Sequence, residues 1–272
     1  MSRNILRAAG ILLLLAFVLA PFGEMATMAL KGPKEQFQVP PTFLPRHATL
    51  QNFVDAWNQP EFPTYFLNSL IITISTTAVV TFISIFGAYG FTRLRFPGRG
   101  PLFIIILFSQ MFCLAAIVVP LYRILGDLGL IDTYPGLVIA YVGFNVPVGI
   151  WLLRSFLVSV PRELEEAALV EGCTKLKAFV RVVVPLLRSG IGATAAYIFF
   201  VSWQEFLFAL IFMTSQNHRT LPVGILDFMG QYETNWGNLM AASILVIVPV
   251  FFIFIFLQRQ LITGLTQGAV KG

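Results

Sequence analysis

Residues 159–185 read SVPRELEEAALVEGCTKLKAFVRVVVP. This charged stretch is bracketed by apolar runs, from Pro135 to Leu157 before it and from Ile191 to Met213 after it. Pro161 suits the first position of a helix, where its missing N–H would be unpaired anyway. Glu163, Glu165 and Glu166 fall in the early turns, where negative charge complements the helix dipole. Gly172 is placed to end this helix in left-handed backbone. Thr174 can cap a second helix, in which Leu176, Phe179, Val180 and Val183 recur at helical spacing and which Pro185 ends or kinks. The pattern predicts two short helices with a glycine hinge, a compact knob that exposes the small residues Ala167 and Ala168. On the residues alone, the knob is either a docking element or an amphipathic segment resting on lipid headgroups through Lys175, Lys177 and Arg181.

Working outward, the flanks set the fold class. The chain of 272 residues is 57% hydrophobic and 11% charged, with 27 Phe and a mean hydropathy of +0.81. A soluble domain carries about 25% charged residues, so this surface cannot be kept in water. A helix crossing the hydrocarbon core needs about 20 mainly apolar residues. Six stretches qualify, at 5–30, 66–91, 101–121, 135–157, 191–213 and 239–261. Backbone groups in lipid are satisfied within a helix, and runs such as Ile104-Ile105-Ile106-Leu107-Phe108 lack the alternation of barrel strands. The expectation is an all-α membrane protein: one transmembrane domain over 1–272, six transmembrane helices and a cytoplasmic two-helix loop at 159–185. The first stretch continues past Pro21 to Leu30, longer than the apolar core of a signal peptide, and is read as a retained helix.

Lys and Arg set the orientation. Thirteen fall on one side, including Arg3, Arg7, Arg93, Arg95, Arg99 and the group around Lys175, against five on the other: Lys31, Lys34, Arg46, Arg123 and Arg219. That bias places both termini in the cytoplasm. Cys173 is then cytoplasmic and Cys113 intramembrane, so no disulfide is expected. The net charge of +5 reflects this placement and not a nucleic-acid partner. The proline-rich segment from Lys31 to Tyr65 reads as an irregular outer loop, and a second outer loop runs from Thr214 to Asn238. The tail after Leu261, with three glycines and no apolar face, is expected to be flexible.

Glu166-Ala167-Ala168, then Gly172, then Pro185-Leu186 resembles the EAA loop of ABC-importer permeases. Other parts are similar to the carbohydrate-uptake (maltose-type) branch: Asn68-Ser69-Leu70, Phe96-Pro97-Gly98, Asp132-Thr133-Tyr134-Pro135-Gly136, Trp203-Gln204-Glu205-Phe206, and the tail from Gly264 to Gly272. The set spans nearly the whole chain in order. Departures are Glu171 where aspartate is usual, Cys173 where alanine is usual, and Gln204 where asparagine is common.

The resemblance implies a pore subunit of an ATP-driven importer in the bacterial cytoplasmic (inner) membrane. Glu166, Ala167, Ala168 and Gly172 would couple it to a dimer of cytoplasmic ATPase subunits. Leu226, Asp227, Phe228, Met229 and Gly230 would form a loop that reaches into an extracytoplasmic solute-binding protein. Trp203, Gln204 and Glu205 would lie near the translocation path, with packing as the equal alternative for Glu205. Gly268 and Lys271 would touch the ATPases. A second, homologous permease would complete the pore, lipid would surround it, and the cargo would be a sugar, with glycerol-phosphate or a polyol as the alternative.

The sequence has no G-x-x-x-x-G-K-[ST] loop, so ATP and Mg belong to the partner ATPase and no cofactor or metal is expected on this chain. Enzyme readings fare poorly: His47 and His218, the two histidines, both fall in outer loops, and adjacent Glu165 and Glu166 face different sides of a helix. An ion-coupled secondary transporter would show an inverted repeat, and none is visible.

Overall fold

The computed structural model describes the backbone of residues 2–230 and 234–269 and the side chains of 7–230 and 234–256. The principal helices are α1 (Ser2–Leu30), α2 (Gln51–Trp57), α3 (Phe62–Arg93), α4 (Arg99–Phe108), α5 (Leu114–Asp127), α6 (Tyr134–Ser159), α7 (Glu163–Val170), α8 (Lys175–Leu186), α9 (Arg188–Trp203), α10 (Leu207–Phe212) and α11 (Trp236–Ala269). Among the described residues, four uninterrupted stretches are long and apolar enough to cross a bilayer: Arg7–Leu30, Phe62–Arg93, Tyr134–Ser159 and Trp236–Phe256. Two bent pairs bring the number to six if each counts as one span.

The breaks fall in two of the six expected stretches. The stretch at 101–121 is two helices, α4 and α5, joined through Phe112 and Cys113 at 100°. The Gln110 side-chain amide donates to the Phe144 carbonyl of α6 at 2.8 Å. The stretch at 191–213 is also split: α9 stops at Trp203, and α10 starts at Leu207. At its other end α9 meets α8 at 71°.

The pair α3 and α6 forms the centre. Small residues let their backbones approach, as is usual between helices in lipid. A Cβ added to Gly149 would lie 2.2 Å from Ser84 Oγ, and one added to Gly87 would lie 2.7 Å from Ile150. Three apolar clusters surround this pair. One joins Ala29, Phe62, Trp203 and Leu239. A second joins Ile72, Leu125, Tyr141 and Phe212. The third joins Leu157, Phe179, Val183 and Leu187 beneath the two-helix knob.

The segment 31–65 is more ordered than its prolines suggest. It contains α2, and α3 already starts at Phe62. Buried Asn52 donates to the Ala29 and Lys31 carbonyls at 2.7 and 2.8 Å. Glu35 accepts from the Arg46 N–H at 2.8 Å and the Thr42 hydroxyl at 3.1 Å, and these bonds hold its carboxyl below the usual range despite partial desolvation. The tail likewise departs from expectation, because α11 continues past Leu261 to Ala269.

Candidate functional site

The knob starts with Arg162 as the residue before α7, so Pro161 lies one step outside the helix. It ends as the glycine predicts: Gly172 has φ +90°. The Cys173 N–H donates to the Ala168 carbonyl at 3.0 Å and the Gly172 N–H to the Leu169 carbonyl at 3.0 Å. That pair of bonds closes a Schellman motif. Thr174 then caps α8 by accepting from the Lys177 N–H. Within α8 the turn from Phe179 to Val183 is π-helical. Phe179 and Val183 are buried while Leu176 and Val180 are exposed.

Seen from the helix axis, α7 has two faces. Glu163, Glu166, Ala167 and Val170 are exposed at i, i+3, i+4 and i+7, and Val170 is 89% exposed. Ala168 is not on this face: it is buried against the body, contrary to the expectation that both alanines are presented. The opposite face carries Glu165, which accepts a hydrogen bond from the Tyr89 hydroxyl and pairs with Arg93 Nε at 3.3 Å. Arg93 also donates to the Val160 carbonyl at 2.7 Å, and Arg162 returns a bond to the Thr92 carbonyl at 2.8 Å. A small cleft of about 170 Å³ beside these groups is lined by Tyr89, Arg93, Arg162, Glu165, Glu166 and Lys175. Sequence reasoning singled out Glu166 and missed Val170 and the inward role of Glu165; the helical period would have separated the two faces.

At the opposite end, motifs quoted from distant parts of the sequence come together. The Tyr134 hydroxyl donates to Asn68 Oδ1 at 2.8 Å, and the Asn68 amide donates to the Asn217 and Arg219 carbonyls at 2.8 and 2.9 Å. Ser69 Oγ accepts from the Leu221 N–H at 2.7 Å. Asp132 sits at φ +59° and accepts from the Ser215 N–H at 3.0 Å, with His218 Nδ1 at 3.3 Å. Burial opposes its ionisation, yet the bonds from Ser215 and His218 outweigh it and the carboxyl lies below its usual value.

The loop residues singled out from sequence are anchored to this cluster. Asp227 accepts from the Tyr65 hydroxyl at 2.8 Å and pairs with Arg219 at 3.3 Å. Phe228 is buried edge-on against Phe62, with centroids 5.6 Å apart. Gly224 is pressed to the Tyr65 ring, where a Cβ would lie 2.0 Å away. Leu226, Met229 and Gly230 remain exposed, and Met229 forms an antiparallel bridge with Thr234.

Trp203, Gln204 and Glu205 diverge although adjacent. Trp203 is buried, stacked on Phe199 at 5.7 Å and bonded to the Val246 carbonyl at 3.1 Å. Gln204 is exposed at the break. Glu205 accepts from the Phe208 and Ala209 N–H groups at 2.9 and 3.2 Å and from the Tyr141 hydroxyl at 2.7 Å, so it caps α10. A separate groove of about 670 Å³ between α3, α9 and α11 is apolar, lined by Ile74, Phe82, Phe199 and Pro249 with Thr77 and Thr81. Of the C-terminal pair, Gly268 lies in α11, while Lys271 falls outside the described residues.

The sequence profile of the "Binding-protein-dependent transport system inner membrane component" family matches residues 80–267. The chain belongs to this family. The matched region takes in the second half of α3 and the whole knob with Glu166 and Gly172. Among relatives, the inner membrane ABC transporter permease protein YcjP of Escherichia coli is 38% identical over 265 residues, covering 97% of this chain and 95% of its own. The trehalose/maltose transport system permease protein MalG of Thermococcus litoralis is 34% identical over 278 residues, covering 99% and 98%. A solved bacterial ABC transporter that imports alginate has the same fold, with a TM-score of 0.82 at 20% identity over 94% of this chain and 95% of that one. The chain is thus a membrane-embedded transport subunit, and ATP hydrolysis is the work of a separate subunit.

Proposed function

We propose that this chain is one of two permease subunits of an ABC importer for a sugar, with both termini in the cytoplasm. Substrate arrives on an extracytoplasmic binding protein, and a dimer of ATPase subunits, carrying ATP and Mg, supplies the energy. The sugar assignment rests on the trehalose/maltose relative.

The observation that carries the coupling role is the exposed stripe on α7. A helix of eight residues cannot stay ordered in water by itself, and this one is held from behind while Glu163, Glu166, Ala167 and Val170 face outward. Two acidic residues, one methyl-sized residue and one apolar residue make a face suited to a cleft with a basic rim. Gly172 holds the angle to α8 at a φ that other residues adopt only with strain. The loop carrying Leu226 to Gly230 would meet the binding protein, and Gln204 at the α9–α10 break would line the path.

The test combines Glu166→Lys with Gly172→Pro. Both variants insert at normal level, as judged by membrane yield, and neither retains the ATPase on affinity purification or supports uptake. Retention of the ATPase and normal uptake in both removes the coupling role. Calorimetry of the cognate binding protein against a panel of mono- and disaccharides then identifies the cargo.

A further inference from the structure

Two neighbouring glutamates on α7 differ in exposure and partners, although both border the small cleft beside Lys175. Glu166 faces out, and Glu165 faces α3, where Tyr89 and Arg93 hold it. The backbone is gripped there as well, since Arg93 bonds to the Val160 carbonyl and Arg162 to the Thr92 carbonyl. The knob is therefore fastened to the inner end of α3 by charge, by hydroxyl and by a reciprocal pair of arginine–carbonyl bonds.

The outer end of α3 is fastened just as firmly, to the loop at 214–228. Tyr65 holds Asp227, Asn68 holds the carbonyls of Asn217 and Arg219, and Ser69 holds the Leu221 N–H. Between these grips α3 runs unbroken; its proline lies at the helix start. At 1.5 Å per residue, Tyr65 and Tyr89 are about 36 Å apart along the axis. The route out of the knob through α8 is jointed: α8 meets α9 at 71°, and α9 gives way to α10 at the Glu205 cap. The helix that leads into the knob, α6, is unbroken and packs along α3, so the two move as one body.

We infer that α3 is the shaft that carries displacement of the knob to the 214–228 loop, and that Glu165 is the positioning residue that locks the knob to that shaft. The inference rests on the reading that α7 docks on an ATPase. It divides labour between adjacent residues: Glu166 receives the partner and Glu165 transmits. A rigid element biased at both ends is the physical requirement for such coupling.

The experiment uses the importer purified with its ATPase and reconstituted in proteoliposomes. Cys113 and Cys173, the free cysteines, are changed to Ser, and Leu226→Cys places a reporter in the exposed loop. Maleimide labelling is timed with and without ATP plus orthovanadate, and trapped nucleotide is counted in the same samples. The expected result is a several-fold change in labelling rate on trapping. Glu165→Gln and Tyr89→Phe abolish that change while nucleotide is still trapped, and Glu165→Arg combined with Arg93→Glu restores part of it. A merely structural role lowers trapped nucleotide and assembly together and leaves no selective loss at the reporter. Should Glu165→Gln fail to assemble, Tyr89→Phe, which keeps both charges, decides on the same readout. A full response in the assembled variants, or a parent that traps nucleotide without any change at the reporter, overturns the inference alone. A parent that traps no nucleotide overturns the importer reading and this inference with it.

Discussion

Gly136 shows how a motif residue is fixed by its surroundings. It lies in the first turn of α6, where Thr133 accepts its N–H at 3.2 Å and donates to the Leu130 carbonyl at 2.8 Å. A Cβ at Gly136 would lie 2.0 Å from the Leu130 carbonyl oxygen. Backbone cannot step aside as a flexible side chain can, so Gly136→Ala is expected to cost about 2–3 kcal/mol. A lowered midpoint of thermal unfolding in detergent checks this. In the sequence, Asp132 to Gly136 stood out only by resemblance, because the clash involves a residue six positions earlier in a turn whose shape the string does not display. Asp132 adds a pH dependence. Its carboxyl is held below the ordinary value in the folded chain, so it stabilises above the unfolded value of about 3.9 and loses that stabilisation as pH falls through the folded value. Asp132→Asn is expected to flatten the acid limb of a stability–pH curve below about pH 4, leaving its slope near pH 7 unchanged.

At the scale of elements, the breaks were the least legible feature. Hydropathy along 101–121 and 191–213 is continuous, and neither interruption is made by proline. Pro21, Pro120, Pro147 and Pro249 instead lie inside helices that continue through them. What ends α9 is a competing set of bonds: Glu205 takes the first N–H groups of α10, which starts a new helix in place of extending the old one. The sequence did mark this site, as polar residues inside an apolar run, but a carboxylate can face a path or its own backbone, and periodicity does not distinguish them. A capping carboxylate is worth about 0.5–2 kcal/mol. Glu205→Ala is therefore expected to lower thermal stability in that range with the loss of the α9–α10 break. Unchanged stability with altered uptake would assign Glu205 to the path instead. The knob was far more legible, since its glycine, its cap and its acidic turn act within a few residues of one another. The burial of Ala168 needed the packing of α7 against α8, which spacing along the chain does not display.

For the whole molecule, the spans at 66–91, 135–157 and 239–261 lie within observed helices, and the two ends of the bundle are tied into separate networks. The end with the loop at 214–228 is stitched from α3, α5, α6 and α10 and from backbone carbonyls that no sequence pattern announces. Shortening Leu226 to Gly230 spares the bonds of Asn68 and Ser69 but removes the exposed Leu226 and Met229 and the Asp227 anchor. The expected outcome is normal insertion with reduced uptake at saturating binding protein, measured in cells that express equal amounts of each variant. Unchanged uptake would separate this loop from delivery.

Among the described side chains of helix α1, those shielded by the rest of the protein run from Met25 to Leu30. From Arg7 to Glu24 its side chains are exposed all round, and Ala29 alone of this helix joins the buried core. Such a helix is held to the bundle through that end, against α11 and α2. It behaves as a mooring line: it can be threaded into the bilayer first, swivel against lipid or a neighbour while the bundle assembles, and be exchanged for another hydrophobic anchor with the bundle interior left as it was.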